Sequence, residues 1–174
     1  AILGQSICTC MATEYRGTMV KTMTSMALRD DLQGGETYFL VEIRSLKRIL
    51  NESRKGAPLL CIIDEVLRGT NTIERIAASS RILATRRREK LLVFSASHDV
   101  ELTYILEKKY SNYHFEEEIR GNEIVFNYLL QKGRATSRNA ISLLEVIGYD
   151  KKLVEDAREA AEEFEREGVW KPLC

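Results

Sequence analysis

No stretch of about 18 consecutive apolar residues occurs in this chain, so it encodes no membrane-spanning helix. Neither sign of charge is in excess: 26 Lys and Arg stand against 26 Asp and Glu, a formal net charge of zero. A surface that grips nucleic acid carries a basic footprint, and the bulk composition has none. There are four cysteines, Cys8, Cys10, Cys61 and Cys174. Cys8 and Cys10 form a C-x-C, but no second Cys or His pair follows at zinc-site spacing. Buried thiols in a reducing, cytoplasmic setting are therefore expected. The opening Ala-Ile-Leu-Gly-Gln-Ser has no basic region followed by an apolar core, so it is not a signal peptide. It reads as the middle of a helix, which suggests a piece of a longer protein. Internal repeats and low-complexity linkers are also missing. So is any G-x-x-x-x-G-K-[ST] phosphate loop, the backbone cradle of many nucleotide hydrolases.

What is present suits one domain: 174 residues are enough to bury a real core. Leu59-Leu-Cys-Ile-Ile63 is apolar at every position, the mark of a strand buried on both faces in a parallel sheet. Leu91 to Phe94 repeats that pattern. Thr18 to Met26 has the Thr and Val content of a strand, paired in expectation with an extended segment over 8–15. Between them lie helical patterns. Glu36 to Glu52 carries an apolar stripe of Phe39, Ile43, Leu46 and Leu50. Residues 73–88 put Ile76, Ala77, Ser80 and Ala84 on one side, and a short helix starts near Val100. Strand–helix–strand–helix with short links predicts an α/β fold with a mostly parallel sheet flanked by helices. Residues 111–118 and 122–130 alternate around Arg120-Gly121-Asn122, which predicts an antiparallel hairpin at the sheet's edge. Helices over about 139–147 and 150–167 close the chain. The last has Leu153, Ala157, Ala161 and Phe164 on one face and Glu162–Arg166 as an i,i+4 pair on its charged side.

Three places carry candidate chemistry. Asp64 and Glu65 end the apolar strand, where α/β sheets bind ligands. An Asp there can hold magnesium, usually through water. The adjacent Glu can deprotonate the water that attacks a γ-phosphate. The same pair also suits an ordinary acidic loop. His98 follows the next strand, at the same sheet edge if the strands are parallel. It can donate a hydrogen bond to a terminal phosphate, or it is simply structural. Gly34-Gly35 before Glu36-Thr37 offers backbone N–H groups and a hydroxyl to an anion, or is a plain helix start.

Taken together, these stretches resemble the C-terminal ATPase domain of the MutS family of DNA mismatch repair proteins, over about residues 1–167. The resemblance rests on Asp30 to Thr37 with Phe39, Val41 and Glu42; on Leu60 to Thr72; on Ala96-Ser97-His98 with Glu101-Leu102; and on Gly133-Arg134-Ala135-Thr136-Ser137. It implies an ABC-type P-loop NTPase domain, an ATPase core over 1–136 and a helical dimerisation segment over 137–174. ATP and Mg2+ would be the ligands. Asp64 would position the metal, Glu65 would be the base, and His98 would contact the γ-phosphate. Gly34, Gly35 and Thr37 would reach a partner's nucleotide across a homodimer interface, which Arg68, Thr70 and Thr72 would line. DNA, mismatched or branched, would be held by other domains. Three stretches depart from the family's pattern. Leu67 stands where Gly is common, Glu74-Arg75 where Asp-Gly is usual, and Gly34-Gly35-Glu36-Thr37-Tyr38 where Ser-Gly-Arg-Ser-Thr is the signature. The competing readings are another ABC-type ATPase, serving a transporter or a chromosome organiser, and a non-catalytic dimerisation module.

Overall fold

The run Leu59–Asp64 becomes the middle strand of a three-stranded parallel sheet in the computed structural model, which describes residues 1–26, 38–85, 90–120, 123–135 and 139–172. Strand β1 (Lys21–Ser25) lies on one side of β2 (Leu59–Asp64) and β3 (Leu91–Ala96) on the other. Met23 is level with Cys61, and Cys61 with Val93. Helices α1 (Ile2–Ile7), α2 (Tyr38–Ser53), α3 (Thr72–Ala84) and α4 (Val100–Ile105) complete a first compact unit, Ala1–Tyr110. The α/β class and the strand–helix–strand–helix order are as the patterns predict. The extended segment expected over 8–15 forms no strand.

Central position explains the burial of β2. Leu59, Cys61 and Ile63 join Leu46 and Ile49 of α2 and Leu83 of α3 in one apolar cluster. Cys61 has no exposed surface at all. The end strand β3 differs from the doubly buried strand expected: Leu92 and Phe94 are more than half exposed, so one of its faces is open. An apolar run says that a strand can be covered on both sides; what packs over each face decides whether it is.

Helix α2 is turned relative to the predicted stripe. Glu42, Leu46 and Ile49 are buried and Phe39 packs against the core, whereas Ile43 is exposed. Both sets repeat at spacings of three or four, so helical periodicity alone allows either. In α3 the inward residues are Ile76, Ser79, Ser80 and Leu83, and Ala77 is exposed. The α3 carboxyl end is closed by the Lys109 ammonium on the Ala84 carbonyl and the Tyr110 hydroxyl on the Leu83 carbonyl, each 3.0 Å.

Residues Ser111–Cys174 make a second unit. The predicted hairpin pairs its strands as expected, with β5 (Glu117–Arg120) antiparallel to β6 (Glu123–Phe126). It forms a two-stranded sheet of its own, so it does not serve as a strand of the parallel sheet. At the start of the first expected strand, β4 (Tyr113–His114) pairs instead with β7 (Gln131–Lys132), just past the end of the second, as another short ladder. Helices α5 (Ala140–Ile147) and α6 (Lys151–Glu167) follow. Gly148 between them takes φ +97°, a left-handed helix end that glycine accepts without strain. Asp150 caps α6 by accepting the Lys152 N–H at 2.9 Å. The inward face of α6 is Val154, Ala157, Ala161 and Phe164; Leu153 is exposed. Arg166 pairs with Glu163 and Glu167 rather than Glu162. Among the described residues no helix is long and apolar enough to cross a membrane.

Candidate functional site

Where β2 ends, the chain makes a tight turn that is held from four directions. The Glu65 N–H donates to the Ala96 carbonyl of β3 at 3.0 Å, carrying the sheet ladder one residue past Asp64. The Val66 carbonyl accepts the Ser79 hydroxyl of α3 at 3.3 Å. The Leu67 N–H donates to the Glu42 carboxylate of α2. Gly69 lies so close to α2 that a Cβ there would come within 2.9 Å of Phe39. The side chains of Val66 and Leu67 are buried. Within this turn Glu65 has φ +48° and Leu67 φ +61°. Left-handed backbone costs about 1–3 kcal/mol for a residue other than glycine, and it persists where its surroundings over-determine it.

The turn brings Glu65 to His98. The His98 Nε2 and a Glu65 carboxylate oxygen are 2.9 Å apart, and the other Glu65 oxygen is paired with Arg68. Glu65 is mostly buried and His98 almost fully exposed. The loop carrying His98 is held in turn. The Asp99 N–H donates to the Ser97 hydroxyl at 3.0 Å, and the Asp99 carboxylate takes both a 2.8 Å and a 2.5 Å hydrogen bond from Arg75 of α3. Such a two-point guanidinium–carboxylate contact fixes angle as well as distance. Glu65, Arg68, Arg75, Ser97, His98 and Asp99 surround a cleft of about 270 Å³.

Asp64 is the last residue of β2, level with Ala96 of β3, and is half-buried. No ion pair or hydrogen bond engages its carboxylate among the described residues. An uncommitted carboxylate at this edge fits a magnesium ion that keeps most of its shell for water and phosphate oxygens. No cluster of three or more His, Cys, Asp or Glu poised for a metal occurs among the described residues.

Of the residues singled out from the sequence, Asp64, Glu65, Arg68 and His98 meet at the carboxyl edge of the sheet. Thr70 and Thr72 lie at the start of α3, outside the cleft. The Thr70 hydroxyl donates to Glu74 at 3.0 Å, and Asn71 caps the helix by accepting the Glu74 N–H at 3.0 Å. Gly34, Gly35 and Thr37 fall outside the described residues. Three side chains that sequence reasoning did not assign to the site support it: Arg75 and Asp99, which tie the His98 loop to α3, and Glu42. Burial raises the Glu42 pKa, against the opposing pull of the Leu67 and Arg68 backbone N–H groups. Glu42 is among the residues that carry the family resemblance, but that gave it no role, and its spacing from Phe39 and Leu46 is shared by Ile43.

Comparison with known proteins identifies the family. A family model described as MutS domain V matches residues 1–165. The DNA mismatch repair protein MutS of Methanosarcina mazei is 30% identical over 158 residues, covering 88% of this chain and 17% of that protein. The protein of the same name from Methanosarcina barkeri gives the same figures. That of Thermus thermophilus is 28% identical over 135 residues, 78% of this chain and 16% of the relative. The chain thus spans less than a fifth of the length of these relatives. The chain belongs to the MutS family and corresponds to its domain V.

Proposed function

We propose that this chain is the ATPase domain fragment of a MutS-like protein that couples ATP binding and hydrolysis to DNA engagement through a dimer. The observation that carries the reading is the Glu65–His98 contact beside an uncommitted Asp64 at one sheet edge. In this reading Asp64 holds magnesium, which when bound supplies neutralising charge to the nucleotide phosphates. Glu65 accepts a proton from the attacking water as its oxygen bonds to the γ-phosphorus and the bond to the β–γ bridging oxygen breaks, giving ADP and phosphate. Both Glu65 oxygens are engaged here, so releasing one leaves the attacking water a freer acceptor. His98 provides the means: turning its Nε2–H from Glu65 to a terminal phosphate oxygen frees one carboxylate oxygen and stabilises the phosphate in a single move.

The remaining roles follow the family resemblance. Gly34, Gly35 and Thr37 reach the partner's nucleotide, and Arg68, Thr70 and Thr72 line the seam between two copies. Residues 137–174 support dimerisation. DNA is engaged by domains outside these 174 residues.

No G-x-x-x-x-G-K-[ST] loop lies within the chain, so the isolated 174 residues should show no ATP turnover above background. In the full-length protein Glu65→Gln should keep ATP binding and lower kcat by about 10²-fold or more, the ordinary contribution of a general base. Steady-state phosphate release with a parallel nucleotide-binding titration measures both. Glu65→Gln turning over within about threefold of the parent would remove the base from this reading.

A further inference from the structure

Glu42 is a buried carboxylate with no assigned task. It is 8% exposed, one oxygen accepts the Leu67 N–H, and the other has no hydrogen-bond partner among the described residues. A carboxylate so placed is expensive to desolvate, and an apolar side chain of similar size would avoid that cost. Its position gives the compensation. Glu42 sits one turn into α2, the helix that follows the Gly34-Gly35-Thr37 segment in the chain. It grips the turn that begins at Glu65. That turn has two non-glycine residues in left-handed backbone, Glu65 and Leu67. Leu67 is the second of them, and its N–H is the atom that Glu42 holds.

The other restraints act elsewhere. The Ala96 carbonyl holds the Glu65 N–H, and Ser79 holds the Val66 carbonyl. Without Glu42 the Leu67 N–H would be buried and unpaired, and the turn could relax toward right-handed backbone. Glu65 lies two residues away, so such a relaxation would swing its carboxylate relative to His98.

We propose that Glu42 is a positioning residue for the base: by accepting the Leu67 N–H it locks the left-handed turn that presents Glu65 to His98, and so ties helix α2 to the catalytic edge of the sheet. The proposal rests on the reading of Glu65 as the general base. It assigns Glu42 no contact with nucleotide or water.

The test uses the full-length protein with Glu42→Ala, Glu42→Gln and Glu42→Asp beside Glu65→Gln. Folding is checked by thermal melting, ATP affinity by titration, turnover by phosphate release, and backbone mobility by hydrogen exchange in the peptide covering 64–70. Glu42→Ala is expected to lower kcat about tenfold or more with KM and ATP affinity changed less than about twofold, since a small misplacement of a reacting group is costly while binding is made elsewhere. Exchange over 64–70 rises in the same variant. Glu42→Gln, whose amide oxygen can accept the same N–H, recovers kcat to within about threefold of the parent. Glu42→Asp, one methylene too short, falls below Glu42→Gln.

Full activity in every Glu42 variant while Glu65→Gln is dead overturns this proposal and leaves the reading of Glu65 standing. Full activity in Glu65→Gln overturns both. If Glu42→Ala does not fold, the pair Glu42→Gln and Glu42→Asp decides. Gln above Asp in kcat at equal ATP affinity supports the role, and equal kcat in the two overturns it.

Discussion

Leu67 shows what a single residue can be made to do by its neighbours. The family resemblance suggests Gly there, and a φ of +61° is the reason glycine would suit. Here a buried leucine bears the conformation, anchored by its own apolar side chain and by the Glu42 carboxylate. Gly69, two residues on, is required for a different reason: Phe39 leaves no room for a Cβ. Cys61 and Cys8 are a second contrast in environment. Burial in the core pushes the Cys61 thiol up to about 11, whereas Cys8 lies exposed at the end of α1. Thiolate is the reactive form, so depth controls reactivity. Iodoacetamide added to the native protein near pH 8 should alkylate Cys8 and spare Cys61 until denaturant is added, as read by peptide mass spectrometry. Labelling of both at one rate would mean that the apolar cluster around β2 is open.

At the scale of the element, the informative cases are those where two faces were equally consistent with the sequence. Helix α2 could have buried Ile43; it buries Glu42 instead, because the turn after β2 offers an N–H that needs an acceptor. Helix α3 begins with a side-chain cap from Asn71. Its Arg75 was not legible as a site residue. The partner Asp99 is 24 positions away, and only the parallel arrangement of β2 and β3 brings the two ends together. This pair joins α3 to the His98 loop. A double-mutant cycle with Arg75→Ala and Asp99→Ala should give a coupling energy of about 1 kcal/mol in denaturant unfolding, the magnitude of a well-oriented, partly exposed ion pair. Either single variant should also lower kcat in the full-length protein through a displaced His98. Additive effects in the cycle would show that the contact does not hold the loop.

The whole molecule is two compact units, one with the parallel sheet and the candidate site, the other with two short antiparallel ladders and the terminal helices. If the site is completed by a second copy, nucleotide should govern association. Full-length protein carrying Glu65→Gln should sediment increasingly as dimer when ATP and Mg2+ are added, and less so with ADP. Sedimentation that ignores nucleotide would favour the non-catalytic module instead. Sequence by itself determined the α/β class, the strand–helix–strand–helix order of the first unit and the place of Asp64, Glu65 and His98 at strand ends. These depend on local pattern: a fully apolar run, helical spacing, and polar residues at strand ends. It did not determine which face of α2 is buried, that β3 is open on one side, that the hairpin forms a sheet of its own, or that Glu42, Arg75 and Asp99 brace the site. Those depend on contacts between residues far apart in the chain, where equally good local patterns compete. The competition is settled by which buried N–H finds an acceptor and which apolar face finds a cover.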